Sequence, residues 1–303
     1  MATEKSQVTV EDFLGGMFDL QGSQEFKKVM IYGPPGLGKT SLVGTLPPPK
    51  KGKYHLILAG EPGFITAARR GLKAKVRLIP DTATMLAALA WLEGGAVDEI
   101  DWIVVEGTST MQNKWLLGYA AEAFDNRPAS RTHRNLPDKP DYLNAQNALK
   151  GFVTRFVDLP CNVLFTAHAM YPEDSDGDPM ITANIQGKGH EVSDYVLGQM
   201  LAVGYFTKVN VRVPSPDDPE KKVSKEARRI YWQSRKSKET GVTIIAKDQT
   251  DTLGRWTDDM TLAEIIALMD TVTDPVIEEA TEEPPAKKAA PKKQANVKAR
   301  LRA

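Results

Sequence analysis

The chain has 303 residues, 41% hydrophobic and 26% charged, which fits a globular protein of one large α/β domain or two small ones. Its 39 basic and 39 acidic residues cancel, so a polyanion must be met by a local patch, and the single cysteine, Cys161, excludes an internal disulfide and any multi-cysteine metal site. With no apolar run near the ~18 residues that span a membrane and no apolar signal core at the start, the expected protein is cytoplasmic and makes no membrane contact.

Residues 1–24 read as an N-terminal arm, with a short amphipathic piece at 10–14. From 25 to 270 strand-like and helix-like segments alternate, which predicts an α/β core with a mostly parallel sheet flanked by helices. Strands are expected at 28–32, 54–59, 76–79, 101–106 and 161–167. Helices are expected from 40 to 46, through Trp91-Leu92, and over about 109–124 and 141–158. Beyond Ala167 the pattern turns antiparallel, with paired strands at 200–213 and 229–234 joined by a charged turn at 214–225, and a third strand at 242–246. A last helix at 259–269 has Thr261 as its cap. Residues 271–303 are a tail, first acidic and then basic, whose Pro, Ala and charge predict disorder. It is either a solubilising tail or an arm that meets nucleic acid or a partner. Cys161 lies in an apolar run and reads as a core thiol rather than a nucleophile.

Between the first strand and the first helix stands Gly33-Pro34-Pro35-Gly36-Leu37-Gly38-Lys39-Thr40, followed by Ser41. The pattern G-x-x-x-x-G-K-[ST] in a strand–loop–helix setting is that of a phosphate-binding loop. Glycines let the backbone wrap a phosphate with its N–H groups inward. Lys39 then reaches the β- and γ-phosphates and the Thr40 hydroxyl ligates Mg²⁺. A nucleoside triphosphate, ATP with Mg²⁺, is the expected ligand.

Three further groups fall where sheet ligands bind, past the carboxyl ends of strands. Glu106 closes an apolar strand and is followed by Gly107, Thr108 and Ser109, which suits a metal-holding acid. Glu61 follows the second strand and precedes Pro62-Gly63; it reads as a water-orienting base, or as a turn and capping residue. His168 follows the strand that ends at Ala167 and suits a γ-phosphate sensor.

This ordered set, with 162–168 closing it, resembles the RecA-like ATPases, most of all the compact phage branch of Sak-type single-strand-annealing recombination proteins. The resemblance spans about residues 26–250. It implies a RecA-like P-loop core, a catalytic role for Glu61 and a γ-phosphate-sensing role for His168. It further implies DNA recombination as the process, single-stranded DNA as the partner, and a homo-oligomeric ring or filament. A single-stranded-DNA-binding protein is a further possible partner, and the host cytoplasm the place. Two positions depart from the family: its usual metal-holding Asp is Glu106 here, and Ala246-Lys247-Asp248-Gln249 lacks the arginine that ends the family's Lys-Asp-Arg. A replication helicase, an AAA+ loader and a non-hydrolysing nucleotide switch are the rival readings.

Two loops flank the catalytic strands as DNA-binding loops do in that family. The first holds Arg127, Arg131, Arg134 and Lys139 and meets phosphates without reading sequence; a solvated surface loop has the same composition. The second, 169–190, offers Lys188 between glycines. Arg235, Lys236 and Lys238 are, by the resemblance, candidates to reach a neighbouring subunit's nucleotide; an ordinary basic hairpin is the alternative.

Overall fold

The computed structural model describes residues 26–187, 190–214, 221–237 and 240–271. The arm, the tail from 272 onward, Lys188 and Lys238 lie outside the described residues. The first half of the chain alternates strand and helix: β1 (Lys28–Gly33), α1 (Lys39–Val43), β2 (Tyr54–Ala59), α2 (Ile65–Arg69), β3 (Ala74–Leu78), α3 (Thr82–Glu93), β4 (Ile100–Glu106), α4 (Thr108–Asn126), α5 (Lys139–Asp158) and β5 (Asn162–Met170). The second half is richer in strands: β6 (Met180–Ala183), α6 (Glu191–Gly198), β7 (Ala202–Pro214), β8 (Lys222–Tyr231), β9 (Arg235–Lys236), β10 (Thr243–Ile244), β11 (Lys247–Asp248), β12 (Trp256–Asp258) and α7 (Leu262–Met269).

The main sheet runs β12-β8-β7-β1-β5-β4-β2-β3. From β7 to β3 every neighbouring pair is parallel, whereas β8, β11 and β12 join antiparallel at the β7 side. β1 and β4 are buried along their whole length, as continuous apolar runs demand when helices cover both faces. Alternate residues feed two cores. Met30, Ile103, Val105 and Phe165 pack into one with Trp115, Phe152 and Phe156 from α4 and α5. Ile31, Val104 and Leu164 face the other, with Phe206, Trp232 and Ile265. The buried Trp232 indole N–H donates to Thr257 Oγ1 at 3.0 Å, so its burial leaves no orphan donor.

One cation sits inside the core. Lys28 Nζ donates to the carbonyls of Phe156, Leu159 and Cys161 at 3.2, 2.7 and 2.7 Å, which caps the end of α5 against β1. Burial lowers its pKa to about 8. The adjoining Cys161 thiol is buried and pushed up to about 11 by desolvation, so it is a core thiol.

Several sequence expectations shift in register or partner. The helix after the phosphate loop ends at Val43, not 46: Gly44 lies against α2, where an added Cβ would stand 2.7 Å from Arg70 Cβ and 2.9 Å from the Ala67 carbonyl, and three prolines follow at 47–49. The charged stretch 221–231 is not a turn up to 225. β7 and β8 pair from Tyr205↔Tyr231 out to Pro214↔Lys222, beyond the core, with Lys208 and Glu226 bridged across the strands at 2.7 Å. The third strand expected at 242–246 does not join that hairpin; β10 pairs with β6 and β9. Thr261 does cap the last helix, in a reciprocal box with Glu264.

Candidate active site

Parallel strands put their carboxyl ends on one edge, and four of them supply the site. In the β1–β5 ladder Gly33 stands opposite His168, and in β2–β4 Ala59 stands opposite Glu106, with Glu61 two residues on. The sheet order thus brings residues 35, 36, 38–41, 61, 106 and 168 to one cleft of about 240 Å³, while Gly33, Pro34 and Leu37 do not line it. Most of the expected phosphate loop lines it, as do Glu106, Glu61 and His168.

The loop's glycines have distinct reasons. A Cβ on Gly33 would stand 2.2 Å from the Phe206 carbonyl, so β7 can approach only a glycine. Gly36 and Gly38 have φ of 75° and 100°, a left-handed region that other residues rarely adopt. Lys39 Nζ donates to the loop carbonyls of Gly33 and Pro34 at 2.8 and 2.9 Å, which folds its charge back over the loop. Burial lowers its pKa, while Glu106 and Glu61 oppose that shift.

Thr40 Oγ1 donates to Glu106 Oε1 at 2.6 Å. Glu106 is 3% exposed, and its Oε2 is buried without a hydrogen-bond partner among the described residues. Burial is the main cause that raises its pKa; Glu61 adds to the rise, and the Thr40 hydrogen bond and Lys39 oppose it. A Cβ on Gly63 would lie 3.6 Å from Thr40 Oγ1 and 3.8–3.9 Å from both Glu106 oxygens, so glycine leaves space beside all three. A half-buried hydroxyl, a carboxylate with a spare oxygen and adjoining space fit Mg²⁺, which takes one or two protein oxygens and fills its octahedron with phosphates and water. The extra methylene of glutamate relative to aspartate still lets the carboxylate reach Thr40. Among the described residues no cluster of three or more His, Cys, Asp and Glu could hold a metal alone.

Burial of Glu106 has a pH signature. The folded protein holds this proton more tightly than the unfolded chain, so the metal-free fold loses stability as pH rises through the interval between the two values. Relative to Glu106→Gln, wild-type stability therefore declines over that interval and then levels off, in thermal unfolding without Mg²⁺. Added Mg²⁺ with ATP should raise the wild-type melting temperature by more than that of the variant, which keeps Lys39 and the loop but loses a carboxylate for the metal.

Helix α4 fixes the remaining groups. Thr110 Oγ1 donates to Glu61 Oε2 at 3.3 Å, the His168 backbone N–H donates to Ser109 Oγ at 3.0 Å, and the Gly107 N–H donates to Thr166 Oγ1 at 2.9 Å. These hydroxyls tie the tips of β4 and β5 together. Ser109 stood in the sequence as one of the small polar residues after Glu106, but Thr110 and Thr166 carried no motif signal. His168 Nδ1 has no partner among the described residues, and burial, aided by Lys39, lowers its pKa, so the ring is neutral near pH 7. Arg228 of β8 is a further cation the motifs did not single out: its guanidinium lies 3.7 Å from where a Gly38 Cβ would stand.

The other candidates lie elsewhere. Arg131 donates to Asp141 at 2.5 and 3.0 Å, and Arg134 to Asp125 at 2.9 and 2.8 Å. Arg127 ends α4 and Lys139 begins α5. Arg235 and Lys236 form β9 and do not line the phosphate cleft of their own chain; Lys236 is paired with Asp178. No helix among the described residues is long and apolar enough to cross a membrane.

The AAA domain profile matches residues 25–241, which spans the phosphate loop, Glu61, Glu106 and His168. No curated protein sequence matches the chain. Among solved structures, the RadB recombinase is similar at 14% identity and a TM-score of 0.38, over 78% of this chain and 95% of that one. The Legionella pneumophila ATPase DotB is similar at 11% identity and a TM-score of 0.27, over 68% of this chain and 46% of that one. A phosphate loop, its acid and the matched profile lead to one conclusion: the chain is a P-loop protein that belongs to the AAA domain family.

Proposed function

We propose that the protein is a Mg²⁺-dependent, RecA-like ATPase that binds single-stranded DNA and promotes strand annealing in homologous recombination, as a phage-type protein working as a homo-oligomer. The observation that carries the catalytic part is the Thr40–Glu106 hydrogen bond on the floor of the phosphate cleft, with Glu61 and His168 across from Lys39. Binding lets Lys39 exchange its two loop carbonyls for β- and γ-phosphate oxygens. Thr40 and Glu106 hold Mg²⁺, which when bound neutralises charge on those oxygens. Glu61, kept in place by Thr110, orients the attacking water and accepts its proton. His168 donates from its neutral ring to the γ-phosphate and is tied to the residue after β6, since the Asn184 N–H donates to the His168 carbonyl at 2.7 Å. In an oligomer, Lys236 from the adjacent copy stabilises charge that develops on the γ-phosphate.

The DNA and annealing part is supported by the ordering of these elements and by the cations carried on the second half of the chain. Its test is annealing of complementary labelled strands with ATP and Mg²⁺. Faster annealing than in a protein-free control agrees with the proposal. A rate equal to the control, with ATP hydrolysis intact, favours a loader that needs a protein partner.

A further inference from the structure

A groove of about 1040 Å³ opens on the antiparallel side of the sheet, between β7, β8 and β12 and the small sheet of β6, β9 and β10. Four strands in register set an aromatic row that enters it from the core: buried Tyr32 pairs with Tyr205, and Tyr205, Tyr231 and Trp256, paired in turn, line the groove. Successive ring centroids are 5.3, 6.3 and 6.4 Å apart, and the row rises from the fully buried Tyr32 to Trp256, which is 40% exposed. Lys208, Arg235, Lys236 and Arg255 line the groove, and among the described residues no carboxylate does. Lys208 and Lys236 lean on Glu226 and Asp178 outside the lining. Arg235 instead lies over the Tyr231 ring at 5.4 Å, and among the described residues neither it nor Arg255 has a carboxylate at salt-bridge distance.

Arg229, paired with Asp258, lies over Trp256 at 4.6 Å and over Tyr231 at 5.7 Å, so the exposed part of Trp256 is the stacking surface left open. We propose that this groove binds single-stranded nucleic acid, with a base stacked on Trp256 and phosphates met by Arg235 and Arg255. Aromatic faces beside unpaired cations suit a flexible strand, because every base offers a π-face and the backbone is uniformly charged. Duplex DNA keeps its bases stacked and leaves the rings nothing to hold. The inference rests on the proposal that the protein binds single-stranded DNA, and it moves the contact away from the 126–140 segment, where Arg131 and Arg134 are already satisfied by Asp141 and Asp125.

The test is binding of labelled oligothymidylate by the full chain at low salt, followed by anisotropy and tryptophan fluorescence. Arg255→Glu and Trp256→Ala should each weaken binding about tenfold or more, and Arg255→Glu should also flatten the salt dependence by about 0.7 in the log–log slope. Trp256→Phe should keep affinity and lose much of the fluorescence quenching, while Arg134→Ala binds as wild type. Arg255 is exposed, so its variant carries the test if Trp256→Ala unfolds. Wild-type binding that survives both groove variants but falls in Arg134→Ala overturns the groove and leaves the DNA reading standing. Absence of any wild-type binding overturns both. Altered sedimentation of the groove variants with unchanged DNA affinity overturns the proposal in favour of a second copy of the chain.

Discussion

Turnover of ATP falls about 10³-fold in Lys39→Ala, the size expected when one preorganised charge is removed from a transition state. Its ammonium is the cation held over the loop, bonded to Gly33 and Pro34 carbonyls rather than to an acid. It can therefore leave them for phosphate without breaking an ion pair. In the alanine variant those carbonyls face the cleft, where water replaces the lost donor, so the fold persists and the melting temperature changes little. The phosphates lose their cation both in the ground state and in the transition state, so ATP affinity and kcat drop together. Steady-state hydrolysis and nucleotide titration measure the two effects. Unchanged turnover in this variant would remove the assignment of the cleft as a catalytic site.

Glu61→Gln separates binding from chemistry. Glu61 receives only the Thr110 hydroxyl and makes no bond to Lys39, Thr40 or Glu106 among the described contacts. Its loss should leave ATP and Mg²⁺ binding near wild type while kcat falls by about 10²- to 10⁴-fold, the usual range for a general base. The neutral amide keeps the hydrogen bond to Thr110 and lacks the ability to accept the water's proton. A protein that uses ATP only as a switch would keep its biological activity in this variant. A kcat within a factor of about two of wild type would move the base role elsewhere.

The strand edge that carries the cleft was legible in the sequence because its signals are local. The glycine spacing of 33–40 is fixed by one loop's backbone, and each acid or histidine follows directly on an apolar run that must be a buried strand. Glu106 was legible as a strand-end acid, but its hydrogen bond to Thr40 depends on β5 lying between β1 and β4, which no local pattern encodes. The end of α1 was only partly legible: the prolines at 47–49 limit it from the sequence, while the close approach of Gly44 to the 65–70 segment is a tertiary contact. Strands of two residues, such as β9, β10 and β11, are too short for alternation to register. The aromatic row joins residues 32, 205, 231 and 256, which meet only through ladder register. Basic residues at 131 and 134 promised a phosphate-binding loop by composition, yet the fold places a carboxylate against each.

The central claim is that the cleft between Lys39, Glu61, Glu106 and His168 hydrolyses ATP and that single-stranded DNA drives it. The most direct measurement is ATP hydrolysis by the full chain with Mg²⁺ at low salt, with and without single-stranded DNA. The account predicts Mg²⁺-dependent turnover that rises when DNA is added and fades as salt is raised. Turnover indifferent to DNA at every salt concentration, or none at all, would contradict it.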